Sequence, residues 1–250
     1  MPAPLTIMPT SDRANASPAD REKVSAPALY RMLAWLSPGF PVGSFSYSQG
    51  LEAAAESGAM RDRASLESWI SAVLRAGSGR IDADILLEAH RAAVADDIDA
   101  LARANRRGLA FRATAEMALE TAAQGAAFLG TCRAAWPDLF LDRWAATLSS
   151  DAVCYAAVVG AAMARAGIPP DYALAGYLQA MATNLVSAGL RLGIVGQSDG
   201  QRIVAALEPL IGLAVVAASS RSPDRFGTAT FAVELASMAH ETQYTRLFRS

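Results

Sequence analysis

Lysine is almost missing from this sequence. Lys23 is the only one in 250 residues, although lysine and arginine together number 22. A phosphate-cradling Walker A loop needs a lysine over its phosphates, and a Schiff-base enzyme needs a buried amine, so neither chemistry is available here. Histidine is nearly as scarce. His90 and His240 stand alone, in no HxxxH, HExxH or ExxH spacing that would set two metal ligands on one helix face. His90 follows an Asp84, Glu88 ladder, which reads as a solvated helix face, and both histidines read as satisfied or surface residues. Cys132 and Cys154 form no CxxC pair, which fits small buried thiols in a reducing compartment and a cytoplasmic location. No cofactor or metal is expected.

Charge of one sign is also lacking. A net charge of -2 and a pI near 5.7 give no basic field for a phosphate backbone, so nucleic acid is not an expected partner. Runs of β-branched residues are few, which leaves no strand for a dinucleotide-binding glycine loop to follow. The longest uncharged run in a helical context, 172–190, is interrupted by Gln179, Thr183, Asn184 and Ser187, and reads as a buried bundle helix rather than a membrane span. The first 27 residues carry prolines, serines and mixed charge without a signal-peptide core, and read as a flexible tail.

What is plentiful is alanine and apolar residues at helical spacing, within a 52% hydrophobic composition. The expectation is an all-α, single-domain bundle of about ten helices over 28–240, followed by a C-terminal tail, 241–250. Expected helices cover 29–36, the LEAAAES stretch from 51, a stretch capped by Ser65, one after a Gly77–Gly79 turn, then 97–107, 110–135, 152–166 started by Ser149 or Ser150, 170–192, one capped by Ser198 or Asp199, and a last one ending near His240.

Two segments stand out as too apolar for their place. Residues 37–50, SPGFPVGSFSYSQG, carry no charge and three aromatic rings. Phe40, the prolines and Gly43 are expected to tuck into the bundle. Ser46 with Gln49 suggests a capping box starting the next helix, with Tyr47 in its first turn and Phe45 and Tyr47 facing outward. The second segment is the ending, HETQYTRLFRS, where Tyr244, Leu247 and Phe248 lie among Arg246 and Arg249. Chain ends are usually polar and frayed, whereas aromatics mixed with arginine are what interface centres enrich. The plain alternative is that Leu247 and Phe248 fold back onto the bundle.

One catalytic pattern competes. Gly196 to Gly200 reads G-x-S-x-G, and Asp224 and His240 follow Ser198 in the order of a serine hydrolase. That elbow needs a strand before the serine, and the residues preceding it read as helix, so a helix start capped by Ser198 is the simpler account.

Three blocks, LSPGFPVGSFSYSQGLEAAAESG, NLVSAGLRLGIVGQSDGQRIVAAL and AHETQYTRLFRS, together resemble the urease accessory protein UreF family, in order and spacing over about 28–250. The resemblance implies an all-α cytosolic protein without catalysis of its own. It would assemble with a UreD-type protein (UreH in some systems) and the GTPase UreG on the urease apoprotein, so that nickel reaches the urease active site. A homodimer in the complex and a role in timing GTP hydrolysis by UreG are also implied. Carried over by motif, Phe45, Tyr47, Gly50, Leu51 and Glu52 belong to the first block. Asn184, Ser187, Arg191, Gly196, Gln197 and Gly200 belong to the second, with Gly196 and Gly200 as turn residues. His240, Glu241, Arg246, Leu247, Phe248 and Arg249 belong to the third, and with Tyr244 they mark a tail implied to become ordered when the UreD-type partner binds. The long N-terminal tail and the use of arginine over lysine depart from common members. A lysine contact to the GTPase found in some relatives could not be made here.

Overall fold

The computed structural model describes residues 24–148 and 152–250. The expected flexible tail therefore lies, up to residue 23, outside the described residues, as do Ser149 and Ser150. Eleven α-helices and two short 3-10 turns make up the rest, and no strand occurs among the described residues. The all-α expectation holds.

Helix α1 (Ala26–Leu36) starts where the Ser25 hydroxyl accepts from the Ala28 amide, carries Pro27 in its first turn, and ends before Ser37-Pro38. The following loop enters the bundle through Phe40, whose ring lies 5.1 Å from that of Phe128. A 3-10 turn (Ser44–Ser46) comes next, then α2 (Leu51–Glu56). No capping box at Ser46 starts α2. Gln49 and Gly50 both sit at positive φ, 54° and 78°, and Gly50 is the cap. Left-handed residues at 49 and 50 cannot lie inside a right-handed helix, so none starts at Ser46; Tyr47 sits in extended backbone and points inward, only 3% exposed.

Asp62 and Ser65 form the capping box of α3 (Arg63–Ala76), so Ser65 is its third residue rather than its cap. Only Gly77 separates α3 from α4 (Ser78–Val94), where a three-residue turn was expected. Helices α5 (Ile98–Ala110) and α6 (Ala115–Ala135) follow, capped by Asp97 and Thr114. A short helix α7 (Leu139–Thr147), capped by Asp138, occupies a stretch that Trp136-Pro137 had seemed to close off. Then come α8 (Tyr155–Arg165), α9 (Pro170–Arg191), α10 (Gln197–Ser219) and α11 (Phe231–Glu241).

The tightest crossing is α4 against α8. Gly160 lets it happen, because a Cβ there would stand 2.4 Å from the Leu86 carbonyl oxygen. His90 is not solvated: it lies buried on α4, and its Nε2 is 2.8 Å from the Ile168 carbonyl. Its ladder neighbours are paired instead, Glu88 with Arg107 and Asp84 with Arg221. Cys132 and Cys154 are buried free thiols, and burial pushes Cys132 up to about 12. Among the described residues helix α10, rather than α9, is the stretch long and apolar enough to span a membrane, yet it lies along the bundle by one stripe, Ile203, Leu207, Ile211 and Val215. Its opposite side leaves Leu213 and Val216 exposed.

Candidate functional site: the C-terminal strap and its seat

Residues 243–250 leave α11 and run back across α2 as a strap. The seat is Glu52, in the first turn of α2, where a carboxylate also favours the helix N-terminus. Its Oε1 accepts the Leu247 amide at 2.6 Å, and its Oε2 accepts the Phe248 amide at 2.9 Å. Beyond these the Arg249 amide donates to the Ser46 carbonyl at 2.8 Å, and Ser48 donates to the Ser250 carbonyl from its amide and its hydroxyl. The strap thus continues the apolar loop of 37–50 by backbone pairing. Phe248 fills the space below it, and the Arg191 guanidinium covers its ring at 4.2 Å.

His240, fully buried at the end of α11, joins the strap to α6. Its Nδ1 lies 2.7 Å from Glu116 Oε2 and its Nε2 lies 3.0 Å from Glu52 Oε2, so each ring nitrogen faces a carboxylate. Arg246 donates to the other Glu116 oxygen at 2.6 Å, which closes a chain Glu52, His240, Glu116, Arg246 running from α2 to the strap. Gly50 belongs to the same joint. Its missing Cβ would stand 2.6 Å from the Ser237 amide nitrogen, so α2 and α11 touch backbone to backbone there.

A cavity of about 220 Å³ opens beside the 37–50 loop, lined partly by Phe45, Gln49, Asp82, Arg112, Glu120 and Tyr155. Glu120 accepts from the side-chain amides of Gln49 and Gln124 and from the Ser250 hydroxyl, at 3.3, 3.1 and 3.0 Å. Arg112 is engaged elsewhere, with Asp82 at 2.7 Å, and Tyr177 donates to the same aspartate. Among the described residues, Glu120 therefore has hydrogen-bond donors but no cation in contact. Burial pushes its carboxyl up to about 7, opposed by the bonds from Gln49 and Ser250.

Several residues expected to face a partner are inside. Tyr47, Gly50, Leu51, Glu52, His240 and Phe248 are buried, because they build the joint on which the strap rests. Arg191 stacks on Phe248 rather than standing free. In the chain alone the tail is seated by Glu52 and Ser48, with Phe248 packed back onto the bundle and the Leu247 side chain left outside. Phe45, Glu241, Tyr244, Arg246, Leu247 and Arg249 are exposed, with Tyr244 wholly in solvent and Leu247 at 60%.

The three sequence blocks meet at this joint. Asn184 of the second donates to the Tyr47 carbonyl of the first at 3.4 Å, and Arg191 reaches Phe248 of the third. Gly196 caps α10, while Gly200 is no turn residue; it lies inside α10, where a Cβ would meet Val186 at 3.1 Å. Glu116 and Glu120 went unread in the sequence, although with Gln124 they recur every four residues along one face of α6, a polar row in an alanine-rich helix. The serine-hydrolase constellation is not assembled. Both His240 nitrogens are held by glutamates, Asp224 accepts from Ser222, and Ser198 is exposed in the first turn of α10.

A family model described as UreF matches residues 60–208. The urease accessory protein UreF of Bradyrhizobium sp. strain BTAi1 is 47% identical over 243 residues, covering 97% of this chain and 100% of that protein. Its counterpart from Bradyrhizobium sp. strain ORS 278 is 46% identical, with 96% and 100% covered. That from Azorhizobium caulinodans is 47% identical, with 92% and 98% covered. The chain belongs to the UreF family of urease accessory proteins.

Proposed function

We propose that the protein is a non-catalytic scaffold of urease maturation in the cytoplasm. It assembles with a UreD/UreH-type accessory protein and a UreG-type GTPase, as a homodimer, and the complex acts on the urease apoprotein so that nickel enters its active site. Nickel is cargo in this reading, and the nucleotide chemistry belongs to the GTPase, whose hydrolysis the scaffold times. One observation carries it. The strap is held by its backbone and by Phe248, so Tyr244, Leu247 and Arg249 are displayed to solvent. Phe45, 64% exposed, stands beside them through the Ser46–Arg249 bond. An aromatic and arginine patch on a fixed backbone is the make-up of an interface centre. Exposed Leu29, Tyr30 and Leu33 on α1 offer a second apolar face, suited to a second copy of the chain.

The test is a double variant, Tyr244→Ala with Leu247→Asp, which changes displayed side chains and leaves the amides on Glu52. The expected result is an unchanged circular dichroism spectrum, loss of co-purification with the UreD-type and UreG-type proteins, with and without GTP, and loss of urease activation. A variant that still captures both partners and activates urease refutes the proposal.

A further inference from the structure

The cavity beside the 37–50 loop holds polar groups that the fold itself does not use. Its mouth is framed by exposed Pro38, Phe45 and Gln179, and its sides by Val42, Met117 and Leu185. The floor is polar and buried. Asp82 and Arg112 neutralise each other there at 2.7 Å, and Glu120 accepts from Gln49, Gln124 and Ser250. Four groups in this wall have no hydrogen-bond partner among the described residues. Gln124, 5% exposed, gives its Nε2 to Glu120 and leaves its Oε1 without a donor. Arg112 directs Nε to the Gly108 carbonyl and Nη2 to Asp82 and the Cys154 sulfur, which leaves Nη1 without an acceptor on a side chain 6% exposed. Tyr155 bonds Thr121 through its backbone amide, and its hydroxyl is unused. The indole N–H of Trp35, a residue 3% exposed, is likewise unpaired.

Unpaired polar groups inside a protein carry a cost that a ligand of matching polarity removes. Three of the four are donors, so the ligand must bring an acceptor, and Gln124 requires it to bring an N–H as well. An anion would face Asp82 and Glu120. A metal ion finds no group of three His, Cys, Asp or Glu side chains among the described residues. An alkylammonium has no acceptor for Arg112, and a hydrocarbon answers none of the four. We propose that this cavity is a binding site for a primary carboxamide head on a short apolar stem. The carbonyl oxygen accepts from Arg112 Nη1 and the Tyr155 hydroxyl, the amide nitrogen donates to Gln124 Oε1, and the stem lies along Val42, Met117 and Leu185. Size agrees with this. A cavity of about 150 Å³ already holds benzene, and butyramide has the same number of non-hydrogen atoms, against about 220 Å³ here.

The test is a titration of the full isotope-labelled chain with butyramide, read by NMR at the side-chain amide of Gln124 and the ring of Tyr155. Saturable shifts are expected, with a dissociation constant on the order of 1 to 10 mM. Butyrate and butylammonium, which share the stem, are expected not to saturate the same signals. Tyr155→Phe removes a hydroxyl that no protein group uses, so its melting temperature should match that of the wild type while butyramide binds about three- to tenfold more weakly. Gln124→Leu should weaken binding by about tenfold or more, and if that variant fails to fold, Tyr155→Phe decides alone. Absence of a saturable shift overturns the site, as does butyrate or butylammonium binding as tightly as the amide, or unchanged binding in the folded variants. Repeating the titration on the chain in complex with its partner proteins separates two sources of the amide. Continued binding assigns a free small molecule, and lost binding assigns an asparagine or glutamine side chain of a partner. The site itself is tested in the chain alone, so it stands or falls independently of the scaffold reading above.

Discussion

Gly43 and Gly50 offer a matched pair for testing the joint between α2 and α11. Both lie at nearly the same left-handed φ, 71° and 78°, so alanine at either bears the same backbone penalty of about 1 to 2 kcal/mol. They differ in space. A Cβ at Gly43 meets nothing within 4 Å, whereas one at Gly50 lies 2.6 Å from the Ser237 nitrogen and 3.0 Å from the Ala236 carbonyl carbon. Both contacts are backbone, so relief requires moving α11, and overpacking of this kind costs about 1 to 3 kcal/mol more. Gly43→Ala should therefore lose about 1 to 2 kcal/mol, and Gly50→Ala about 2 to 5. With a urea m-value of about 2 kcal/mol/M, the Gly50→Ala midpoint should fall below that of Gly43→Ala by roughly 0.5 to 1.5 M at unchanged m. Equal midpoints would refute the claim that close backbone approach, rather than φ alone, demands glycine at position 50.

Three further expectations follow from burial and bonding. Tyr47→Ala should cost about 3 to 5 kcal/mol, as large aromatic truncations in cores do, while Phe45→Ala should stay within about 0.5 kcal/mol, both by thermal or urea unfolding; the reverse order would put the loop inside out. Glu52→Ala removes the acceptor of two strap amides and one His240 nitrogen, so amide exchange at 247 and 248 should speed markedly; unchanged protection there would show that Phe248 alone holds the strap. Ser198→Ala should leave urease activation intact, since that hydroxyl is exposed and His240 is committed to Glu52 and Glu116; a loss of activation would reopen the hydrolase alternative.

Fold class was legible because helical periodicity is strong and strand-forming runs are few. Helix ends were read less well where the signal was ambiguous. Ser46 and Gln49 spell a capping box, but a capping box also requires helical backbone after it, and Gln49 at φ 54° denies that. The short α7 was missed since Trp136-Pro137 looks like an ending, and the Asp138 cap immediately after it starts a new helix. The three sequence blocks come together in one joint, and which of their side chains face out was not legible in the sequence. Tyr47, His240 and Phe248 look like interface residues by type, and only the path of the strap reveals that they are packed inside the joint. Glu116 and Glu120 carried a period-four signal, but nothing local says that such a row faces inward when its neighbours are alanines.

Glu52 grips main-chain amides, not side chains, at two successive positions of the strap. Holding and displaying are thereby separate tasks along the same few residues: the grip is indifferent to what Leu247 carries, as long as Phe248 still fills its hollow. Tyr244, Leu247 and Arg249 can then be exchanged for other side chains as letters are reset in a fixed frame, giving a different contact surface without a different fold.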